Sequence, residues 1–167
     1  MQERSETTAP AAATKCPYEA LRRLKARYFN CVDAKDWQGL HTVFSRHARF
    51  DRGFGSAVRN PVTGAWDCAT PPEPLIVSGR DAIIAMIRAA VETLWTIHRG
   101  HHAELTLDAP DKARGLWAMS DELRDREGRL IMRGSGHYHE TYIIEDGDWR
   151  IDSVRLTRLF LERPGDN

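Results

Sequence analysis

Trp117, Met119, Asp121 and Leu123 recur at every second position, so a strand through them places all four on one face. Three of the four are large and apolar, and Asp121 is therefore expected to point into a hydrophobic interior. An isolated carboxylate there is costly, so it must be paired, protonated or functional. A structural carboxylate tied to an arginine is the plain alternative. Near the C-terminal end, Val154, Leu156, Arg158 and Phe160 alternate in the same way, which makes Arg158 a second inward charge and the natural counter-ion of Asp121. Arg155 falls on the opposite face. A general base must come from elsewhere, and five of the seven histidines form two clusters, His98-Arg99-Gly100-His101-His102 and His137-Tyr138-His139. His137 and His139 share a strand face at a spacing that can chelate a metal, but no third ligand is evident and no metal is expected. One of that cluster is expected to line a pocket or an interface. Asp33 stands five residues after Tyr28, near the end of a predicted helix, where the macrodipole opposes a carboxylate and some partner must hold it. Pairing with an imidazole would orient the ring and raise its basicity, and a solvated helix end is the alternative.

The elements that must position these groups follow from periodicity and punctuation. Residues 1–15 are rich in Ala, Thr, Ser and Glu and read as a disordered tail, with a single domain over 16–163. A helix starts at Pro17, with Leu21, Leu24, Tyr28 and Cys31/Val32 on its apolar stripe and Arg22, Arg23, Lys25 and Arg27 on its wet face. Asp36 is the expected N-cap of a short second helix that buries Trp37, Leu40, Val43 and Phe44. A short strand is expected at 48–51. The stretch 52–77 follows as a long irregular connection whose large apolar residues are Phe54, Trp66 and Leu75. Connections of that length serve as lids or binding loops, or are merely surface insertions. Ser78-Gly79-Arg80-Asp81 has capping-box spacing, ahead of a helix that buries Ile83, Ile87, Ala90, Val91 and Leu94 and ends near Trp95–Thr96. Strands are expected at 98–107, 113–126, 130–145 and 149–162, joined by tight turns. Helices first and hairpin-linked strands afterwards predict an α+β fold.

The 167 residues suffice for one core of good size. Lys+Arg and Asp+Glu balance at 24 each, and no basic stripe interleaves with aromatics, which argues against nucleic acid as a partner. No apolar run reaches the length of a membrane span, and the first residues lack a signal-peptide core, so cytoplasmic residence is the expectation. Cys16, Cys31 and Cys68 are too few and too scattered for a disulfide framework or a zinc site.

Taken together, Leu24-Lys25-Ala26-Arg27-Tyr28-Phe29, Asp33-Ala34-Lys35-Asp36-Trp37, His98-Arg99-Gly100-His101, Ala113 to Met119, Gly136-His137-Tyr138-His139-Glu140-Thr141-Tyr142 and Leu156-Thr157-Arg158-Leu159 resemble the SnoaL-like branch of the nuclear-transport-factor-2-like superfamily. The resemblance runs over roughly residues 17–162, carried by the order and spacing of the motifs. It implies a cone-shaped α+β barrel, a bent antiparallel sheet around three helices with a deep apolar pocket. Relatives of this type include scytalone dehydratase, bile-acid 7-alpha-dehydratase and the hexachlorocyclohexane dehydrochlorinase, in which a His–Asp dyad removes a proton during an elimination. His98 matches that His and Asp33 that Asp. Tyr28 and Asp121 fall where the bile-acid dehydratase has its functional Tyr and second Asp, and Arg158 matches its Arg unless the last strand shifts the match to Arg155.

The implied activity is a cofactor-free, dehydratase-type lyase acting on a hydrophobic ring, polyketide or steroid-like molecule. Trp117, Met119, Phe54, His137 and Tyr138 are its expected substrate-facing side chains, and Asp121 is cast as the acid that protonates the leaving group. An isomerase or cyclase using the same base, or a non-catalytic binding module on the same fold, is the alternative. A homo-oligomer is expected, a trimer before a dimer.

Overall fold

A computed structural model describes residues 16–164, so the tail expected at 1–15 lies outside the described residues. Helix α1 spans Pro17–Ala34 and ends on Lys35, which adopts a left-handed conformation (φ 60°). Its stripe Leu21, Leu24, Tyr28, Cys31 and Val32 is buried as the periodicity requires. Lys25 is the exception to the expected wet face, since it is only 1% exposed. It lies four residues after Leu21 and three before Tyr28, squarely on the apolar stripe, and a buried counter-ion from the sheet meets it there.

Helix α2, Trp37–Leu40, is capped as expected, with the Asp36 carboxylate accepting from Gly39 N at 2.8 Å. Strand β1, Phe44–Asp51, begins earlier than expected, so Phe44 is a strand residue rather than a helical one. The connection after it contains one further short strand, β2, Ile76–Ser78. Helix α3, Arg80–Val91, starts on Gly79 (φ 92°) without any side-chain cap, because Ser78 is committed to pairing with Arg49 in the sheet. It buries Ile83, Ile84, Ile87 and Val91, while Ala90 faces solvent, and it stops at Val91, four residues short of the expected end.

Trp95 already belongs to β3, Trp95–Ala109. His98 therefore sits inside a strand rather than at its mouth. β4 (Lys112–Arg124), β5 (Leu130–Glu145) and β6 (Asp148–Glu162) complete one six-stranded sheet in the order β2-β1-β6-β5-β4-β3. All neighbours are antiparallel except β1 and β6, which run parallel, so the sheet is mixed rather than purely antiparallel. α1 lies against β3 and β6, and α3 against β1 and β2. The space between helices and sheet holds one core running from Leu21 to Val154. Leu105, Trp117, Met119, Tyr138, Tyr142, Ile151 and Val154 supply its sheet side. This is the bent-sheet α+β cone.

Candidate active site

The end of α1 carries Asp33 to the inner face of β3. There the carboxylate is held by three donors. His98 Nδ1 lies 2.6 Å from Asp33 Oδ1, the His98 backbone N–H donates to Oδ2 at 2.9 Å, and Thr96 Oγ1 donates to Oδ1 at 2.9 Å. Lys35, bent back by its left-handed turn, donates to the same Thr96 hydroxyl at 2.8 Å. These bonds answer the question that a carboxylate at a helix C-terminus raises. Burial pushes the Asp33 carboxyl up, but the hydrogen bonds from His98 and Thr96 outweigh it and hold the group below its ordinary value of 3.8. A carboxylate at Nδ1 places the imidazole proton on that nitrogen and leaves the Nε2 lone pair free to accept. Phe29 stacks on the imidazole at 5.9 Å with 12° between the planes, fixing the ring against α1. His98 and Asp33 are thus an oriented dyad with an 8% exposed imidazole.

Next to the dyad, β4 presents Asp121, the register partner of His98 on β3. The inward alternation of Trp117, Met119 and Asp121 holds, with 6%, 2% and 5% of each exposed. Arg158 on β6 is the counter-ion, donating to both Asp121 oxygens at 2.6 and 2.8 Å, while Arg155 points to the other face and pairs with Asp51. Both Asp121 oxygens accept, so in this arrangement the residue offers no O–H to a leaving group. Its geometry is that of an anchor for Arg158 rather than of an acid. Room for the pair comes from Gly134, opposite Asp121 on β5. A Cβ there would lie 2.8 Å from Arg158 Nη1 and 3.2 Å from Asp121 Oδ1.

Tyr28 and Tyr138 meet edge to face at 6.0 Å between α1 and β5. Burial drives the Tyr28 phenol well above its ordinary range, with a hydrogen bond from Tyr138 opposing, and burial does the same to Tyr138. Both therefore stay protonated and are donors across the ordinary pH range. Beneath them lies a network that sequence reading missed. Lys25 Nζ is paired with Glu140 Oε1 and sits over the rings of Tyr138, Tyr28 and Phe29, at 3.6, 4.6 and 4.7 Å from their centroids. Glu140 Oε2 accepts from the Tyr142 hydroxyl at 2.5 Å, and Tyr142 accepts from Trp117 Nε1 at 2.7 Å. Burial pushes the Lys25 ammonium below its ordinary range, against the pull of Glu140. The signal for this network was the period-two run Tyr138, Glu140, Tyr142, which places a carboxylate among inward aromatics.

Two expected substrate-facing residues lie elsewhere. His137 alternates with Tyr138 and stands on the outer sheet face, its ring 6.4 Å from that of His139. Phe54 packs on Trp66 at 6.1 Å and under the Arg155 guanidinium at 5.6 Å, on the Arg155 side of β6 rather than the Arg158 side. That outer face also carries an open trough of about 600 Å³, floored by Leu116, His139 and Thr141 and walled by Arg49, Arg114 and Arg155. It contains none of the dyad, Tyr28, Asp121 or Arg158. Tyr28, Asp121 and Arg158 are instead buried between the helices and the inner sheet face, and Asp33 reaches the surface in a separate open depression beside Lys35, Thr96 and Arg126. Among the described residues, no group of three or more His, Cys, Asp or Glu is arranged to hold a metal ion. No helix among them is long and apolar enough to cross a membrane.

A SnoaL-like domain family model matches residues 16–155. The chain is 26% identical over 145 residues to the protein named "Probable cyclase FGR4" of Gibberella zeae, covering 84% of this chain and 89% of that one. Among solved structures, the Kfla4162 protein of Kribbella flavida is similar with a TM-score of 0.67 at 19% identity, over 87% of this chain and 92% of that one. A hexachlorocyclohexane dehydrochlorinase, LinA type 2, is also similar, with a TM-score of 0.67 at 15% identity over 90% of both chains.

Proposed function

The chain belongs to the SnoaL-like domain family, and from that premise we propose that it is a small-molecule-converting enzyme, a lyase of dehydratase type in which His98 is the base. The observation that carries this reading is the 2.6 Å contact of His98 Nδ1 with Asp33 Oδ1, on a ring whose other nitrogen is left to accept a proton. The substrate class is a hydrophobic β-hydroxy ketone on an aromatic, polyketide or steroid-like frame. His98 Nε2 takes the proton α to the carbonyl, and the electron pair of that C–H bond becomes the new C=C bond. The C–O bond to the β-hydroxyl breaks, and the proton returns from the imidazolium to the departing hydroxide, releasing water. Tyr28, supported by Tyr138, donates to the carbonyl oxygen as negative charge gathers there. Arg158, fixed by its two bonds to Asp121, adds positive charge beside it. Trp117 and Met119 supply the apolar surroundings.

His98→Ala is expected to abolish turnover of such ketones while the circular dichroism and melting of the protein stay unchanged. Asp33→Asn, which keeps the shape but allows the wrong tautomer, should lower kcat by about 10²–10⁴-fold. Undiminished activity in His98→Ala would sink the mechanism. A cyclase is the second reading, supported by the name of the Gibberella zeae protein that matches over most of this chain. The same enolate would then attack a second carbonyl instead of expelling hydroxide. Products separate the two: loss of 18 Da marks dehydration, and a new ring without that loss marks simple cyclisation.

A further inference from the structure

The 52–75 connection is a built object. Its neck is pinned by Asp51, whose Oδ1 accepts from Gly53 N at 3.1 Å and Leu75 N at 3.0 Å, while Arg52 N donates to Leu75 O at 3.1 Å. Gly53 passes so close to the returning chain that a Cβ there would lie 1.9 Å from Glu73 O. Beyond the neck the segment carries its own small hairpin. Val58 N donates to Asp67 Oδ1 at 2.8 Å, Asp67 N to Val58 O at 3.0 Å, and Asn60 N to Ala65 O at 2.7 Å. Phe54 and Trp66 pack together within it. A segment bonded to itself in this way is one local structural unit.

The underside of that body sits on the buried cation of the site. Arg158 Nε donates to the Gly55 carbonyl at 3.0 Å, Val58 runs beside Arg158 in a parallel bridge, and Ala57 is 4% exposed. The guanidinium thus binds Asp121 with two nitrogens and a backbone carbonyl of the flap with the third. We infer that residues 53–74 form a hinged flap over the site, and that the Gly55 carbonyl holds the place which a substrate's ketone oxygen takes on Arg158. The exchange replaces one C=O by another on the same N–H, so the buried cation keeps its third bond, and what opening gives up is the Val58–Arg158 bridge and the exposed bond from Arg163 Nη2 to Ser56 O at 3.3 Å. A hydrocarbon of the same shape leaves Arg158 Nε unpaired and cannot hold the flap open. The flap thereby selects ligands that carry a carbonyl.

The inference rests on the reading of Arg158 as part of the site, but its test needs no turnover. The full chain labelled with ¹⁵N-arginine and ¹⁵N backbone is titrated with 2-tetralone and, separately, with tetralin. The ketone is expected to move the Arg158 Nε–H signal together with the amides of residues 54–58, and tetralin to move neither. In the absence of ligand, the Arg158 Nε–H, whose acceptor is the Gly55 carbonyl of the flap, should exchange at least tenfold faster than the amides of β4 and β5. Ala57→Lys, which puts a long charged side chain where a 4% exposed methyl packs under the flap, should raise that rate a further tenfold or more and leave the sheet rates unchanged. An Arg158 signal unmoved by tetralone up to its solubility, or moved while residues 54–58 stay fixed, overturns the placeholder role. An Arg158 Nε–H as slow as the sheet amides in both proteins overturns the hinge. Either failure leaves the His98 base untouched, and an active His98→Ala variant would leave the flap untouched.

Discussion

Lys25 shows how residue type and residue position can disagree. Its charge assigns it to the wet face of α1, whereas its spacing from Leu21, Tyr28 and Val32 assigns it to the buried stripe. Position wins because β5 brings Glu140 to meet it, and that pairing joins residues 115 apart, which no local pattern reveals. Asp33 was more legible: a carboxylate at a helix end calls for a donor, and His98 supplies two. Asp121 and Arg158 were legible as a pair because each interrupts an apolar alternation of its own strand. What spacing could not convey is that both Asp121 oxygens are taken, which turns an expected acid into an anchor. The buried Lys25–Glu140 pair carries a stability prediction. Lys25→Met leaves an uncompensated carboxylate in the core and should cost about 3–5 kcal/mol in urea unfolding. Adding Glu140→Gln, which keeps an acceptor for Tyr142, should recover most of that loss. If the single variant costs under about 1 kcal/mol, the pair is not the fixed buried ion pair described here.

At the scale of elements, the strands from β4 to β6 were readable nearly to the residue because their turns carry Gly or Pro and their faces alternate. The junction between α3 and β3 was not. Leu94, Trp95 and Thr96 continue the helical spacing, yet the chain turns into β3 at Trp95, where pairing with Arg124 of β4 begins. Tertiary pairing overrode local periodicity, and it moved His98 from the end of a strand to its interior. β2 was missed because three residues carry no period, and the parallel pairing of β1 with β6 was missed because it joins strands about a hundred residues apart. The clearest element-level requirement lies in β5, whose Gly134 leaves a gap between Asp121 and Arg158. Gly134→Ala puts a methyl 2.8 Å from Arg158 Nη1, inside any real contact distance, so the guanidinium must shift. The expected cost is about 1–3 kcal/mol in stability, of the size found for overpacking, together with a fall in kcat. A crystal structure of the variant with the Asp121–Arg158 bonds unchanged would show that β5 yields instead.

For the whole molecule, the sheet ends unequally. β2 closes one side with three residues, but β3 leaves an edge of fifteen residues on the other. An edge of that length presents a row of unpaired backbone groups, which proteins cover, interrupt or use for association. The charges along β3 blunt its centre, yet its first turn of pleat carries Trp95 and Ile97 outward, 63% and 39% exposed, and Phe160 is 50% exposed on the outer face of β6. Large apolar side chains at an open edge are poorly placed in water and well placed between copies of the same chain. The expectation of a homo-oligomer therefore acquires a location, the Trp95 end of the outer face. The proposal is a trimer, read by light scattering as three times the chain's 19.0 kDa. The variant Trp95→Lys with Ile97→Lys adds two like charges to the edge and should bring the mass down to one chain without altering the melting of the sheet. Were the wild type to run as a monomer at micromolar concentration, the edge would be guarded by its charges alone. Were the double variant to keep the oligomer, the contact would lie elsewhere, and the polar trough around His139 would be the next face to charge.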